Sequence, residues 1–253
     1  MDRTKQFANE LVRLNPDVLV AVTTPATAAM QHETRTIPII FTSVSDPVGS
    51  GFVASLPNPG GNITGFINME ASLSGKWVEL IREIVPHVSR MAILFNPQSA
   101  PFARYYLDTF RSAATALSVE SIEAPVHSPA EIEDVMTKLG GETLTGIVVM
   151  PDTSAVVNRS MIISLAERYR LPTIYPLRVF VIDGGLISYG IDYPEMFRKA
   201  ASYVDRILRG AKPNELPVQL PTKFELVINL KTAKSIGLTF PQTIVASADD
   251  VIE

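Results

Sequence analysis

The chain of 253 residues contains no cysteine, which excludes disulfides, thiolate nucleophiles, zinc–cysteine sites and iron–sulfur clusters together. Histidine is scarce, with three in all. His32 lies in the polar stretch 31–36, His87 follows Pro86, and His127 precedes Ser128, so each reads as a solvated loop residue rather than a general base. No HExxH, His-x-His or calcium-type acidic loop is present, and no metal site is expected. The close glycine pairs Gly49/Gly51, Gly60/Gly61, Gly140/Gly141 and Gly184/Gly185 form neither GxGxxG nor GxxxxGK[ST]. No nucleotide, and no other cofactor, is therefore anticipated. The nucleophile elbow GxSxG is also missing. Charge of either sign is modest: 22 Lys plus Arg against 26 Asp plus Glu give a net −4 with no block of like charge, which argues against a nucleic acid or an anionic membrane as partner. No apolar run approaches the ~18 residues of a membrane span, so direct insertion is not expected. Met1 leads into the polar stretch 2–6 rather than into a signal segment.

What is present is a hydrophobic fraction of 46%, enough for a folded core, arranged in alternating strand-like and helix-like periods. Short apolar runs at 18–22, 37–41, 91–95, 147–150 and 186–189 read as buried strands. Between them, Phe7, Leu11 and Leu14, then Trp77, Leu80, Ile81 and Ile84, then Phe102 to Leu117, then Ile132, Val135, Met136 and Leu139 repeat at helical spacing, each predicting one buried face. Ser128-Pro129-Ala130-Glu131 is a capping box with proline at the first helical position, and Thr24-Pro25 repeats the cap-then-proline logic. Tyr193-Pro194 opens a helix closed by Gly210, and 224–229 reads as a further strand before a short tail. The alternation specifies an α/β chain built from βαβ units. A proline- and glycine-rich break at 56–62, followed by a strand-like 63–67 and a helix from about Ser72, suggests two lobes.

Polar side chains collect at the carboxyl ends of the predicted strands, where open α/β sheets receive small ligands. Thr23 and Thr24 follow the first strand, Ser43, Ser45 and Asp46 the second, Asn96 the run 91–95, and Asp152 the run 147–150. The free N–H groups of Ala26 and Thr27, with the threonine hydroxyls, suit a carboxylate held against the positive end of a helix. The plain alternative for Thr24 alone is a helix cap. Tyr175 and Tyr189 end the β-like runs 172–175 and 186–189 and suit pocket walls, with partly buried core tyrosines as the alternative.

The succession TTPATAA, SVSDPVGSGFVASLPNPGGNITG, LFNP, VVMPD, GGLISYG and PTKFELVINLKTAKSIGL resembles the substrate-binding proteins of ABC transporters with a type I periplasmic-binding fold, in particular the tryptophan/phenylalanine-type family. The resemblance implies two Rossmann-like lobes joined by a three-stranded hinge, with residues 1–66 and about 186–216 in the first and 67–185 and about 217–253 in the second. Family members carry an export or lipoprotein signal and an opening βαβ unit ahead of the region matching 2–22, so the first lobe is expected to be incomplete here. The resemblance further implies a small solute, an aromatic or branched amino acid, gripped between the lobes by Thr23, Thr24, Ala26, Thr27, Ser45 and Asp46 facing Asn96 and Asp152, with Tyr175 and Tyr189 near the hinge. Delivery to an ABC permease of the inner membrane, a periplasmic location and the absence of catalysis follow from the same likeness. Two other classes share the architecture: a regulator's effector domain, which would need a basic helix-turn-helix where 1–14 reads as one amphipathic helix, and an α/β enzyme, whose motifs are missing.

Overall fold

The computed structural model describes residues 3–68, 70–142 and 144–253. In chain order the elements are α1 (Arg3–Arg13), β1 (Leu19–Val22), α2 (Thr24–Glu33), β2 (Ile39–Val44), β3 (Ile63–Ile67), α3 (Leu73–Ile84), β4 (Arg90–Phe95), α4 (Ala103–Ala116), β5 (Glu120–Pro125), α5 (Pro129–Gly140), β6 (Thr145–Val149), α6 (Thr153–Val157), α7 (Arg159–Arg168), β7 (Thr173–Tyr175), α8 (Arg178–Ile182), β8 (Ile187–Ile191), α9 (Tyr193–Leu208), β9 (Phe224–Asn229), α10 (Leu230–Ser235), α11 (Gln242–Ser247) and β10 (Asp250–Ile252). They divide into two compact units, Met1–Glu70 with Asp192–Lys223, and Ala71–Ile191 with Phe224–Glu253. The chain therefore passes from one unit to the other three times.

The first unit is built on a parallel sheet in the order β1-β2-β3. Side chains of β2 alternate between two cores, as a strand buried on both faces requires. Ile39 and Phe41 join Leu19, Ala21, Ala29 and Met30, whereas Ile40 joins Phe66 and the α9 residues Met196, Ala200, Tyr203 and Ile207. Gly65 of β3 is obligatory for close approach, because a Cβ there would lie 2.1 Å from the Phe41 carbonyl oxygen. The returning segment flanks β3 through a parallel bridge between Phe66 and Gln219, and Tyr203 Oη donates to the Pro217 carbonyl at 2.7 Å. The face expected to be buried on α1 is not. Phe7, Leu11 and Leu14 are 50%, 42% and 77% exposed, while Ala8 is the buried contact and Asn9 donates to Glu33 at 2.6 Å, so the small residue brings α1 onto α2.

The second unit carries seven strands in the order β10-β9-β8-β7-β6-β4-β5, parallel except where β8 and β9 run antiparallel. Ala92, Leu94, Ile147 and Val149 of its central strands pack with Ile132 and Met136 of α5 and with Ile162 and Leu165 of α7. Trp77 of α3 is fully buried, stacks on Tyr106 at 5.7 Å, and donates Nε1–H to the Tyr189 carbonyl at 2.6 Å. Because β8 is hydrogen-bonded to both β7 and β9, residues 187–191 belong to this unit rather than to the first, and the chain returns to the second unit at Phe224. Just past the last β8–β9 pair, Asp192 N–H donates to the Lys223 carbonyl at 3.1 Å and the two side chains form a 2.9 Å ion pair. Two of the three crossovers thus leave as one antiparallel ribbon.

Candidate ligand-binding site

In the first unit the carboxyl ends of β1, β2 and β3 carry the polar residues. Thr23 closes β1 with φ 82° and ψ 157°, a region that L-residues other than glycine essentially avoid and that costs a β-branched residue about 1–3 kcal/mol. Its N–H donates to the Thr42 carbonyl at 3.0 Å, which fixes the strained residue to the neighbouring strand. The Thr23 side chain makes no capping bond to α2. Thr27 is fully buried and donates both its N–H (3.1 Å) and its hydroxyl (2.9 Å) to the Thr23 carbonyl. Thr27 is thus occupied within the helix, contrary to the expectation that its N–H is free. Pro25 has no N–H, so the first turn of α2 offers the N–H groups of Thr24 and Ala26, which have no acceptor among the described residues, at the positive end of the helix.

At the end of β2 the strand continues past the expected 37–41 to Val44, through a register shift at Ser43, whose φ is 57°. Ser45 donates its hydroxyl to Asn68 Oδ1 at 3.1 Å. Asn68 in turn donates Nδ2–H to Tyr193 Oη at 3.4 Å, and the Tyr193 hydroxyl lies near the Ser43 side chain. Burial pushes the Tyr193 hydroxyl above its ordinary pKa, against the opposing influence of Asn68 and Ser43. Asp46 folds onto its own loop, with Oδ1 accepting from Gly49 N–H at 2.8 Å. The hydroxyl of Thr42, fully buried between Thr23 and Ser43 in these two corners, has no hydrogen-bond partner among the described residues.

In the second unit Asn96 follows β4 and Asp152 follows β6, both nearly buried. The Asp152 carboxylate accepts from Ala155 N–H (2.7 Å) and the Ser99 hydroxyl (3.1 Å) on Oδ1, and from Asn96 N–H (3.1 Å) on Oδ2. Burial raises its pKa in spite of these donors. Asp152 therefore caps α6 and ties the loop after β4 to the loop after β6, which leaves neither oxygen idle. Asn96 Oδ1 accepts from Gln98 N–H at 2.8 Å, and its Nδ2 reaches the Ser154 hydroxyl at 3.5 Å. Ser99 and Ser154, not singled out in the sequence, complete this corner.

The two tyrosines separate. Tyr175 is 1% exposed, stacks on Phe180 at 4.9 Å, and has its hydroxyl pKa raised by burial. It packs in the core of the second unit, where Gly185 leaves room against its ring. Tyr189 is half-buried and stacks on Phe224 at 6.0 Å, an aromatic pair beside the crossover ribbon. Asn68 was within reach of the same rule that found Ser45, since it follows the strand-like run 63–67 directly. Tyr193 carries no local sign beyond opening a helix.

Among the described residues no group of histidine and carboxylate side chains suits a metal ion, and no helix is long and apolar enough to cross a membrane.

A tyrosine-binding protein of Clostridioides difficile (strain R20291) is 27% identical over 242 residues, covering 94% of this chain and 68% of that protein. The crystal structure of a conserved domain protein from Vibrio cholerae O1 biovar eltor superposes with a TM-score of 0.86 at 32% identity, over 98% of this chain and 82% of that one. An ABC domain from Streptococcus pneumonia solved in complex with L-Trp gives 0.86 at 26% identity, over 98% and 83% of the two chains. The pattern that defines ABC transporter substrate binding proteins matches residues 1–252, and the chain belongs to that family, with its type I periplasmic-binding fold.

Proposed function

We propose that the chain is the solute-binding component of an ABC import system, acting in the periplasm, where it captures a free aromatic amino acid between its two lobes and delivers it unchanged to a membrane permease. The observation that carries the reading is the start of α2: an uncapped helix terminus, with the N–H groups of Thr24 and Ala26 available, entered through a strained Thr23. Such a terminus suits a carboxylate, each charge-assisted hydrogen bond being worth about 1.5–3 kcal/mol. Ser45, whose proton goes to Asn68, offers an oxygen lone pair, and with the Asp46 oxygen not used by Gly49 it suits the ammonium. Asp152, whose oxygens are both engaged, acts by holding Asn96 and Ser99 in place rather than by meeting the ligand. Tyr189, with Phe224 behind it, supplies a flat apolar surface for the side chain of the amino acid. A ligand touching groups of both units favours the closed state over the open one by the difference in its contacts with the two. The amino-acid class is supported by the relatives that bind tyrosine and tryptophan.

The test is calorimetric titration of the purified chain with each of the twenty L-amino acids. One-to-one binding of L-tyrosine, L-tryptophan or L-phenylalanine, with the ligand recovered intact, is expected. The absence of heat with every amino acid would overturn the reading.

A further inference from the structure

The strain at Ser43 is held by residues far away in the chain. Ser43 adopts φ 57° where β2 slips register against β3, a conformation that costs a non-glycine residue about 1–2 kcal/mol. It persists only if its surroundings favour it. The bonds that do so converge from two places. Tyr193, the first residue of α9, places its hydroxyl beside the Ser43 side chain and reaches the turn through Asn68, and its helix is anchored by Asp192, which accepts from Glu195 N–H at 2.9 Å. Asn68 brackets the turn from the other side: its N–H donates to the Val44 carbonyl at 3.1 Å, its Oδ1 accepts from Ser45, and its Nδ2 closes onto Tyr193 Oη. Asn68 lies two residues before one crossover between the units, and Tyr193 is the second residue after another.

We propose that Asn68 and Tyr193 are positioning residues, which hold the turn of Ser43 and Ser45 in the shape that receives the ligand and tie that shape to the crossover segments. The part concerning the ligand rests on the amino-acid reading given above.

The decisive variant is Ser43→Gly, because glycine occupies a positive φ without penalty and so relieves Tyr193 of its task. In the native background Tyr193→Phe weakens binding of L-tyrosine and L-tryptophan about tenfold, the equivalent of the ~1.4 kcal/mol that holds the turn. In the Ser43→Gly background the same exchange changes affinity by less than about threefold. A residue that merely stabilises the unit would lower the melting temperature equally in both backgrounds and leave affinity alone, which overturns the proposal. A second arm needs no ligand: in the free protein Tyr193→Phe speeds hydrogen exchange of the amides at 43–46, and unchanged exchange there overturns the proposal whatever binds. Should Tyr193→Phe fail to fold, Asn68→Ala carries both arms. If the native chain binds neither amino acid, the amino-acid reading falls, and with it the ligand-receiving part of the proposal, while the exchange arm still decides whether the pair holds the turn.

Discussion

Replacing Thr23 with glycine separates the cost of the site from its use. Thr23 stands at φ 82° and ψ 157°, where a β-branched side chain stores about 1–3 kcal/mol of backbone strain. Glycine removes that strain, but the unfolded chain then gains freedom worth about 0.5–1 kcal/mol. The Thr23 side chain makes no capping bond, so no intramolecular hydrogen bond to the helix is lost with it. The net expectation is a gain of about 1 kcal/mol, or roughly 2–4 °C in melting temperature for a chain of this size. Binding moves the other way. If the Thr23 hydroxyl joins the proposed carboxylate site, its loss removes about 1.5–3 kcal/mol, which is ten- to a hundredfold in Kd. Ser118→Gly is the control, since Ser118 also has a positive φ (55°) but lies between α4 and the amino end of β5, not at the carboxyl end of a strand. It should raise stability and leave affinity untouched. Thermal melts and titration calorimetry on the three proteins decide the matter. A Thr23→Gly protein that melts several degrees lower, or one that melts higher and binds as tightly as the native chain, would refute the reasoning.

Asp152→Ala strands the N–H groups of Ala155 and Asn96 and should cost about 2–5 kcal/mol in denaturant unfolding. With its pKa raised by burial, the folded state holds the Asp152 proton more tightly than the unfolded chain, so this group's contribution to stability falls as pH rises from the ordinary carboxylate range through the raised value. The stability difference between native protein and Asp152→Asn should therefore shrink with rising pH across that window, and a slope of opposite sign would count against the assignment. Gly190→Ala should unfold the second unit or lower its stability by about 3 kcal/mol or more, because the added Cβ would stand 1.9 Å from the Pro176 carbonyl oxygen, a backbone atom that cannot give way. Normal expression and melting of this variant would show the β8 packing to be wrong.

Periodicity made the buried strands legible and left the exposed ones unread. Strands at 63–67 and 224–229 and the helix from Tyr193 stand where their residues predict them, because each has a continuous apolar face or an explicit start signal. Glu120–Pro125 is an edge strand exposed along most of its length; it shows no apolar run, and only the alternation of strand and helix from 91 to 169 marks its place. The short elements after Asn229 read as a tail for the same reason. In α1 the spacing of Phe7, Leu11 and Leu14 identified an apolar stripe, yet periodicity says nothing of what covers a stripe, and the helix docks through Ala8 instead. The rule that polar residues follow strands put Thr23, Ser45, Asn96 and Asp152 just past strand ends, where they stand. It does not say whether a polar group is already used inside the fold. Asp152 is fully engaged by the neighbouring loop, and Thr27 by Thr23, so their free chemistry was overestimated. The Asn68–Tyr193 contact joins residues 125 positions apart and becomes visible only when the first unit is assembled from its two stretches of chain.

The most direct test of the account is the backbone amide NMR spectrum of the labelled chain titrated with L-tryptophan and, separately, L-tyrosine. Saturable shifts should appear in two clusters, one at Thr23, Thr24, Ala26 and Ser45 in the first unit and one at Asn96, Ser99 and Ser154 in the second, with the same apparent Kd. Shifts confined to a single unit, or a spectrum that neither amino acid alters, would contradict it.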